Sequence, residues 1–136
     1  MNNGRFSISV HILTLLATSQ GELLSSEWIA GSININPVLV RKELSNLREH
    51  GLVISKEGKN GGAQLAKPAR DILLSEVYEA VKQSPVLGVA KNTPNPDCLV
   101  GRQINQHLDD LYEEVDRALL AKLGQTTLEA FCKKFV

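Results

Sequence analysis

The chain has 136 residues, enough for one domain with an appendage, and 43% hydrophobic with 22% charged residues excludes a disordered or fibrous protein. The longest apolar stretch, residues 8–17, is too short to span a bilayer. The opening residues carry no cleavable signal pattern, so we expect a cytoplasmic protein with no membrane partner. Two cysteines, Cys98 and Cys132, fit a reducing compartment better than a disulfide framework.

Charge is distributed unevenly, although the formal net charge is zero. Residues 1–70 hold 8 Lys or Arg against 5 Asp or Glu, whereas residues 71–136 hold 7 against 10. Between residues 36 and 70 the ratio is 7 to 3, and a local excess of positive charge is what contact with nucleic-acid phosphates requires. A cluster of charges is also ordinary on a solvated surface, so the distribution alone does not decide the function.

The first 33 residues predict two helices. Apolar residues recur at helical spacing over residues 6–19, which predicts a mostly buried helix that ends before Gly21. A second, short helix should begin at Ser25 or Ser26, because either hydroxyl can accept from the free N–H groups of a first turn. Its expected buried side carries Trp28, Ile29 and Ile33.

A third helix is predicted after a tight break at residues 31–35. Asn36 is suited to cap it and Pro37 to occupy its first position, and the helix should run to about His50 before Gly51 ends it. Its expected buried face carries Val40, Leu44 and Leu47. Two short helices joined by about four residues, the second opening with polar and basic side chains, form a helix-turn-helix.

Two short strands, residues 52–56 and 63–67, are predicted next, joined by the glycine-rich turn 57–62. A hairpin directly after a helix-turn-helix is a wing. The glycine-rich turn could instead cradle a nucleotide phosphate, but that arrangement needs a following helix N-terminus, whereas a strand and Pro68 follow here. We therefore predict a mainly α fold with a small β-hairpin wing, a winged helix-turn-helix domain over residues 1–83.

The segment from the third helix to the wing resembles the signature of the Rrf-two (Rrf2) family of bacterial winged-helix regulators. The matching residues are Leu47-x-x-x-Gly51-Leu52-Val53, Ser55 and Gly58-x-x-Gly61-Gly62-x-x-Leu65. The resemblance continues over nearly the whole chain, through a helix within residues 72–81 and a long dimerisation helix. It implies a homodimer that binds double-stranded DNA at a partly palindromic operator, usually as a repressor.

The resemblance places the family's base-reading positions at the start of the third helix. In this chain they are Asn36, Val38, Arg41 and Lys42, with Ser45 one turn further on. A helix in the major groove presents its N-terminal side chains, and Arg or Lys can donate to the O6 and N7 atoms of guanine. Ser25 and Ser26 lie where backbone N–H groups can hold a phosphate. The alternative for each is an exposed helix residue without a nucleic-acid partner.

The wing departs from the family pattern at Glu57. Several members carry a basic residue there, suited to the electronegative minor groove, whereas phosphate would repel a carboxylate. Lys56 and Lys59 are therefore the wing residues that we expect to contact DNA.

The family's cofactor is not expected in this chain. Cluster-binding members use three cysteines spaced C-x5-C-x5-C, and Cys98 resembles the last of them, but Val86 and Asn92 occupy the earlier positions. One thiolate per subunit is too few to hold an iron–sulfur cluster, so we expect no cofactor. The histidines show no metal-ligand spacing with either cysteine, so we also expect no metal site. Residues 84–97 are predicted to form a flexible loop, and Cys98 directly follows it. Cys98 is therefore a candidate redox switch; the alternative is a remnant of a cluster-binding ancestor.

Residues 98–136 are predicted to form a dimerisation helix and a last short helix. The apolar seam of the first is Ile104, Leu108, Leu111, Val115 and Ala118. This spacing is heptad-like, and the preceding domain is too small to bury it, so a second copy is the expected partner; the alternative is packing on the chain's own first helix. A capping box from Thr126 to Glu129 predicts the last helix through Phe135, with Leu128 and Phe131 closing the dimer core.

Two other classes of function fit the sequence less well. A winged-helix module that binds only proteins would show an apolar or acidic surface on the third helix, whereas Arg41, Lys42 and Arg48 make it basic. An enzyme using Cys98 or a histidine needs a base and an orienting group within reach, and no motif supplies them, so no catalytic residue is predicted. The sequence favours a DNA-binding transcriptional regulator and identifies no small-molecule effector.

Overall fold

The computed structural model describes residues 4–83 and 85–135, which form one small hairpin among helices. The helices are α1 (Arg5–Thr18), α2 (Ser26–Ile33), α3 (Pro37–Glu49), α4 (Leu74–Val81), α5 (Ile104–Leu123) and α6 (Leu128–Cys132). Strands β1 (Val53–Lys56) and β2 (Gly62–Leu65) pair antiparallel, with Val53 opposite Leu65 and Lys56 opposite Gly62. Within the described ranges, no helix is both long and apolar enough to cross a membrane.

The starts of α2 and α3 follow from their capping residues, as predicted. Ser25 Oγ accepts a hydrogen bond from the N–H of Trp28 at 3.1 Å, and Asn36 Oδ1 accepts one from the N–H of Val38 at 2.9 Å. Pro37 occupies the first position of α3. Each such cap is worth about 1 kcal/mol relative to alanine, so local sequence fixes where both helices of the helix-turn-helix begin.

The break between α2 and α3 lies later than predicted. Gly31 and Ser32 remain helical, and the chain turns at Asn34, whose φ of 65° is left-handed. Asn tolerates this conformation better than most residues, and its N–H donates to the carbonyl of Ala30 at 2.7 Å. The predicted break at residues 31–35 was therefore wrong in its first half.

The core joins α1, α2, α3, α4 and α6 to the hairpin. The largest fully buried side chains are Ile12, Leu13, Ile29, Leu47, Leu52, Ile72 and Leu128. The predicted buried face of α3, Val40, Leu44 and Leu47, is confirmed. Trp28 was predicted to be buried and is 56% exposed. Ile29 and Ile33, one turn apart, face the core, and Trp28 lies about 100° around the helix from Ile29.

A bidentate ion pair and one further hydrogen bond join the helices. Arg5 Nε and Nη2 donate to Glu43 Oε2 and Oε1 at 2.8 and 3.1 Å, joining α1 to α3. Asn46 Nδ2 donates to the carbonyl of Ala80 at 2.8 Å, which joins α3 to α4. Because Glu43 is buried and its oxygens are satisfied by Arg5, α3 is fixed on its inner side by charge as well as by apolar packing.

Glu76 stabilises the first turn of α4. Its Oε1 accepts from the N–H of Leu73 at 3.0 Å, and its Oε2 accepts from Lys67 Nζ at 2.8 Å. Partial burial raises the pKa of Glu76, but these two hydrogen bonds outweigh that effect and leave the pKa below its usual value. The carboxylate therefore contributes more to the folded state when it is ionised.

The last helix begins one residue later than predicted and ends earlier. Thr127 Oγ1 accepts from the N–H of Ala130 at 3.0 Å, so the capping box from Thr126 to Glu129 is not formed, and α6 ends at Cys132 instead of Phe135. Leu128 is fully buried in the chain's own core, and its N–H donates to the carbonyl of Ile72 at 2.8 Å. Leu128 was predicted to close a dimer core; its burial within the subunit makes that prediction wrong.

Residues 82, 83 and 85–103 contain no helix or strand, and α5 then packs on α4. Asp116 links them, accepting from the N–H of Val86 at 3.4 Å and pairing with Lys82 at 3.6 Å. The three predicted units include positions that lie outside the described residues, namely residues 1–3, Ser84 and Val136. The boundaries between these units, at residues 84 and 98, stay predictions.

Candidate nucleic-acid interface

The outward face of α3 is exposed from its first turn. Val38 is 58% exposed and Leu39 47%, and Arg41 and Lys42 are also exposed, while Val40 on the opposite side is fully buried. The alternation follows from helical geometry, because residues three and four apart share a face. Of the predicted reading residues, Asn36 is exposed at the cap and Ser45 is half-buried. This solvent-exposed face therefore combines apolar and cationic side chains near the N-terminal end of α3.

Arg41 is bound to α2 through one of its nitrogen atoms. Nη1 donates to Ser26 Oγ and to Glu27 Oε2, both at 3.2 Å, and Ser26 Oγ in turn donates to Glu27 Oε2 at 3.1 Å. We call Ser26, Glu27 and Arg41 the α2–α3 cluster. Its ion pair is well exposed, with side chains 53% and 67% accessible, so it contributes little to stability. Sequence reasoning singled out Ser26 and Arg41 but missed Glu27 as their partner.

Arg48 connects α3 to the wing. Its Nη1 donates to Ser55 Oγ on β1 at 3.1 Å, and its Nη2 donates to Ser45 Oγ at 3.4 Å. Ser45 is thus engaged within the protein, whereas Lys42 projects from the same helix without such a contact among the described residues. Arg48 therefore helps to set the orientation of the hairpin relative to α3, whereas sequence reasoning had named it only as a basic residue on the outer surface of that helix.

The wing is held at its base by the segment before α2. The N–H of Leu24 donates to the carbonyl of Ala63 at 3.0 Å, and the N–H of Ala63 donates back at 2.9 Å. A Cβ on Gly62 would lie 2.6 Å from the carbonyl oxygen of Leu24, so glycine is required where the two backbones approach. Lys56 and Lys59 are exposed, at the end of β1 and in the turn that follows it.

The residues at the family's cluster positions do not fit an iron–sulfur cluster. Cys98 is exposed, six residues before α5, while the two preceding positions carry Val86 and Asn92, which offer no thiolate. Across residues 4–83 and 85–135, no group of three His, Cys, Asp or Glu side chains is placed to hold a metal ion. The other cysteine, Cys132, is partly buried against the core, and burial raises the pKa of its thiol.

The predicted dimer seam on α5 divides into two parts. Leu108 and Val115 are half-buried, whereas Ile104, Leu111 and Ala118 are exposed. Leu111 is 47% exposed, and no residue of α5 is fully buried within the subunit. The helix thus keeps an apolar side that its own chain leaves open to solvent.

Comparison with known proteins agrees with this architecture. A family profile described as Rrf2, an iron-dependent transcriptional regulator, matches residues 2–134. YwnA of Bacillus subtilis, whose name assigns it to the HTH-type transcriptional regulators, is 41% identical over 129 residues, which cover 95% of each chain. A crystal structure described as that of a DNA-binding protein is 37% identical, with a TM-score of 0.75, and covers 93% of this chain and 97% of that one.

A more distant structure has the same fold. CymR, the global cysteine regulator of B. subtilis, superposes with a TM-score of 0.72 at 22% identity, covering 100% of this chain and 98% of that one. The predicted winged-helix class and the family resemblance are both confirmed. With a profile match over nearly its full length and a relative above 40% identity, the chain belongs to the Rrf2 family of DNA-binding, winged-helix transcriptional regulators.

Proposed function

We propose that this regulator is a homodimeric repressor that places α3 in the major groove of double-stranded DNA and sets its wing against the flanking backbone. The observation that supports this most is the uncovered outward face of α3, where Arg41 and Lys42 stand beside Val38. Arg and Lys donate to guanine O6 and N7, and an apolar side chain can contact the methyl group of thymine. A face of this kind can distinguish base pairs as well as bind phosphate.

The surrounding residues are suited to fix the position of the helix. The first turn of α2, capped by Ser25, presents backbone N–H groups that can hold a phosphate, and Ser26 lies in the same turn. Asn36 presents the first turn of α3 in the same way. Lys56 and Lys59 are the wing cations within reach of the backbone in this arrangement, and Glu57 beside them would weaken the contact.

The test is selection of binding sites from a random DNA library by the full chain, followed by titration across salt concentrations. A site-specific protein should enrich one motif and lose affinity steeply with salt. Lys42→Ala should weaken binding and reduce the salt slope by about one if Lys42 contacts phosphate. Lys133→Ala, which removes an exposed cation beyond α6, is the matched control and should leave the slope unchanged. Equal affinity for the selected and a scrambled site would refute the proposal.

The dimer is proposed to form through the open side of α5. Burying a leucine removes about 1.5–3 kcal/mol of unfavourable hydration, so several such residues on each subunit favour pairing. Leu111→Glu should convert a dimer to a monomer in sedimentation equilibrium while the helical circular-dichroism signal is kept. Glu113→Gln, two residues further along the helix and exposed, should remain dimeric. A wild-type protein that sediments as a monomer at all concentrations would exclude this arrangement.

Repression, and not activation, is proposed from the family resemblance. A reporter gene placed behind a promoter that contains the selected site should be transcribed less when the protein is present. We infer that the chain acts by binding, without catalysis and without a resident cofactor. The basic outward face of α3 is the feature that favours DNA over a purely protein partner, and strong binding of a protein to this face with no DNA binding would reverse that preference.

A further inference from the structure

Arg41 uses only part of its hydrogen-bonding capacity within the protein. Its Nη1 contacts both Ser26 Oγ and Glu27 Oε2, whereas Nε and Nη2 have no hydrogen-bond partner among the residues that the structure describes. A guanidinium has five N–H donors in a rigid planar fork. One corner of the fork is therefore fixed to α2, and the remaining edge is open to solvent on the outward face of α3.

We propose that Ser26 and Glu27 are positioning residues that orient Arg41 so that its free edge meets a guanine of the operator. This inference rests on the proposed function. A long side chain loses rotamer freedom when it binds, and a contact that restricts the side chain beforehand reduces that loss. Ser26 contributes a hydroxyl and Glu27 a carboxylate to the same nitrogen, so the two restrict the fork in direction as well as in position.

Glu27 also places a negative charge close to the surface that meets DNA. Its side chain is two-thirds exposed, so a nearby phosphate would be repelled by it. This repulsion acts on every DNA sequence, whereas the orientation of Arg41 matters only where a guanine accepts its hydrogen bonds. The cluster should therefore lower affinity for non-specific DNA and raise the preference for the true site.

A different role for Glu27 makes the opposite prediction. If the carboxylate only competed with DNA for Arg41, its removal would raise affinity for specific and non-specific DNA alike and would leave the dependence on guanine intact. The shared nitrogen favours the positioning role, because a contact confined to Nη1 leaves the other donors of the fork available.

The experiment combines protein variants with 7-deazaguanine, which lacks the N7 acceptor, placed in turn at each guanine of the selected site. At the guanine that Arg41 contacts, the replacement should weaken wild-type binding about tenfold and should not affect Arg41→Ala. Glu27→Ala and Ser26→Ala should reduce this penalty to about two- to threefold, and Glu27→Gln, which keeps an oxygen acceptor, should lie between. Both Glu27 variants should bind scrambled DNA more tightly than the wild type.

Glu57→Gln is the matched control. It removes an exposed carboxylate from the wing that makes no ion pair with Arg41 among the described residues, so it should raise affinity for scrambled DNA without changing the 7-deazaguanine penalty. An unchanged penalty in Glu27→Ala would overturn the positioning role and leave the proposed DNA binding standing. A full penalty in Arg41→Ala at every guanine would overturn both the reading role of Arg41 and the inference. Failure of the wild type to prefer selected over scrambled DNA would remove the proposed function and the inference together.

Discussion

Replacing Arg5 with methionine tests how α3 is held on the domain. The Glu43 side chain is only 7% exposed and that of Arg5 17%, and two nitrogen–oxygen contacts of 2.8 and 3.1 Å join them. The hydrogen bond that Arg5 donates to Glu43 raises the pKa of Arg5, so the guanidinium stays charged in the folded protein. Methionine keeps much of the aliphatic stem of Arg5 but leaves the Glu43 carboxylate in a buried position without its cation.

The expected loss of folding stability comes more from the desolvation of the unpaired Glu43 carboxylate than from the missing attraction between the two charges. Breaking a buried pair by removing one partner costs about 3–5 kcal/mol, and the partial exposure of Arg5 favours the lower end of this range. For a domain of this size, a loss of about 3 kcal/mol lowers Tm by roughly 10 °C. Replacing both residues, as Arg5→Met with Glu43→Leu, removes the uncompensated charge and should return stability to within about 1 kcal/mol of the wild type.

The assay is urea unfolding at pH 7 followed by circular dichroism, at one fixed protein concentration because dimerisation would add to the apparent stability. Arg102→Met, which removes an exposed cation from the turn before α5, is the control and should change stability by less than about 0.5 kcal/mol. A loss of less than about 1 kcal/mol in Arg5→Met, or a double variant no more stable than Arg5→Met, would show that the uncompensated Glu43 charge does not set the stability.

Three further predictions concern glycine substitutions, the loss of stability at acidic pH and the reactivity of the two thiols. Gly62→Ala should destabilise the fold by about 1–3 kcal/mol through backbone overlap, whereas Gly31→Ala, in open space on α2, should stabilise it by about 0.5–1 kcal/mol in thermal unfolding. Since the folded pKa of Glu76 is lowered, its stabilisation is present above the usual glutamate value near 4.3 and lost as pH falls through the folded pKa. Glu76→Gln should therefore be less stable than the wild type by under about 1 kcal/mol at pH 7 and equal to it near pH 2. A thiol reagent should modify the exposed Cys98 quickly and Cys132 slowly, because burial raises the pKa of Cys132. If Cys98 is a redox switch, DNA binding by Cys98→Ser should not respond to oxidant.

Features that depend on neighbouring residues could be predicted from the sequence. The caps at Ser25 and Asn36, the proline that opens α3 and the glycine-rich turn of the hairpin all act within three or four residues of themselves. Such local signals carry the same preference in most folds, which is why the helix-turn-helix and the wing were predicted in the right order. The resemblance in the wing then extended the prediction from fold to family.

Features that depend on distant residues were predicted less well. Trp28 was placed in the core on hydrophobicity alone, but the packing of α2 on its neighbours decides which of two adjacent apolar residues turns inward. Leu128 satisfied the pattern of an interface residue and is instead buried beneath α1. Glu43 gave no signal, since its partner is 38 residues away along the chain.

The candidate site shows the same division. Helical spacing predicted the buried face of α3, and the family resemblance named Val38, Arg41 and Lys42, which are all exposed on the opposite side. The contact of Arg41 with Glu27 depends on how α2 and α3 cross, which no local pattern specifies. Nothing in the sequence therefore distinguishes an Arg41 that is free from one already held by α2.

The two sides of α3 separate stability from recognition. Its inner side is fixed by buried leucines, the Arg5–Glu43 pair and the hydrogen bond from Asn46 to α4, none of which involves an outward residue. Substitutions at Val38 or Lys42 should therefore change the preferred DNA sequence while altering stability by less than about 0.5 kcal/mol. Because Val38 and Lys42 take no part in these inner contacts, the outer face can change at these two positions without a compensating change in the core.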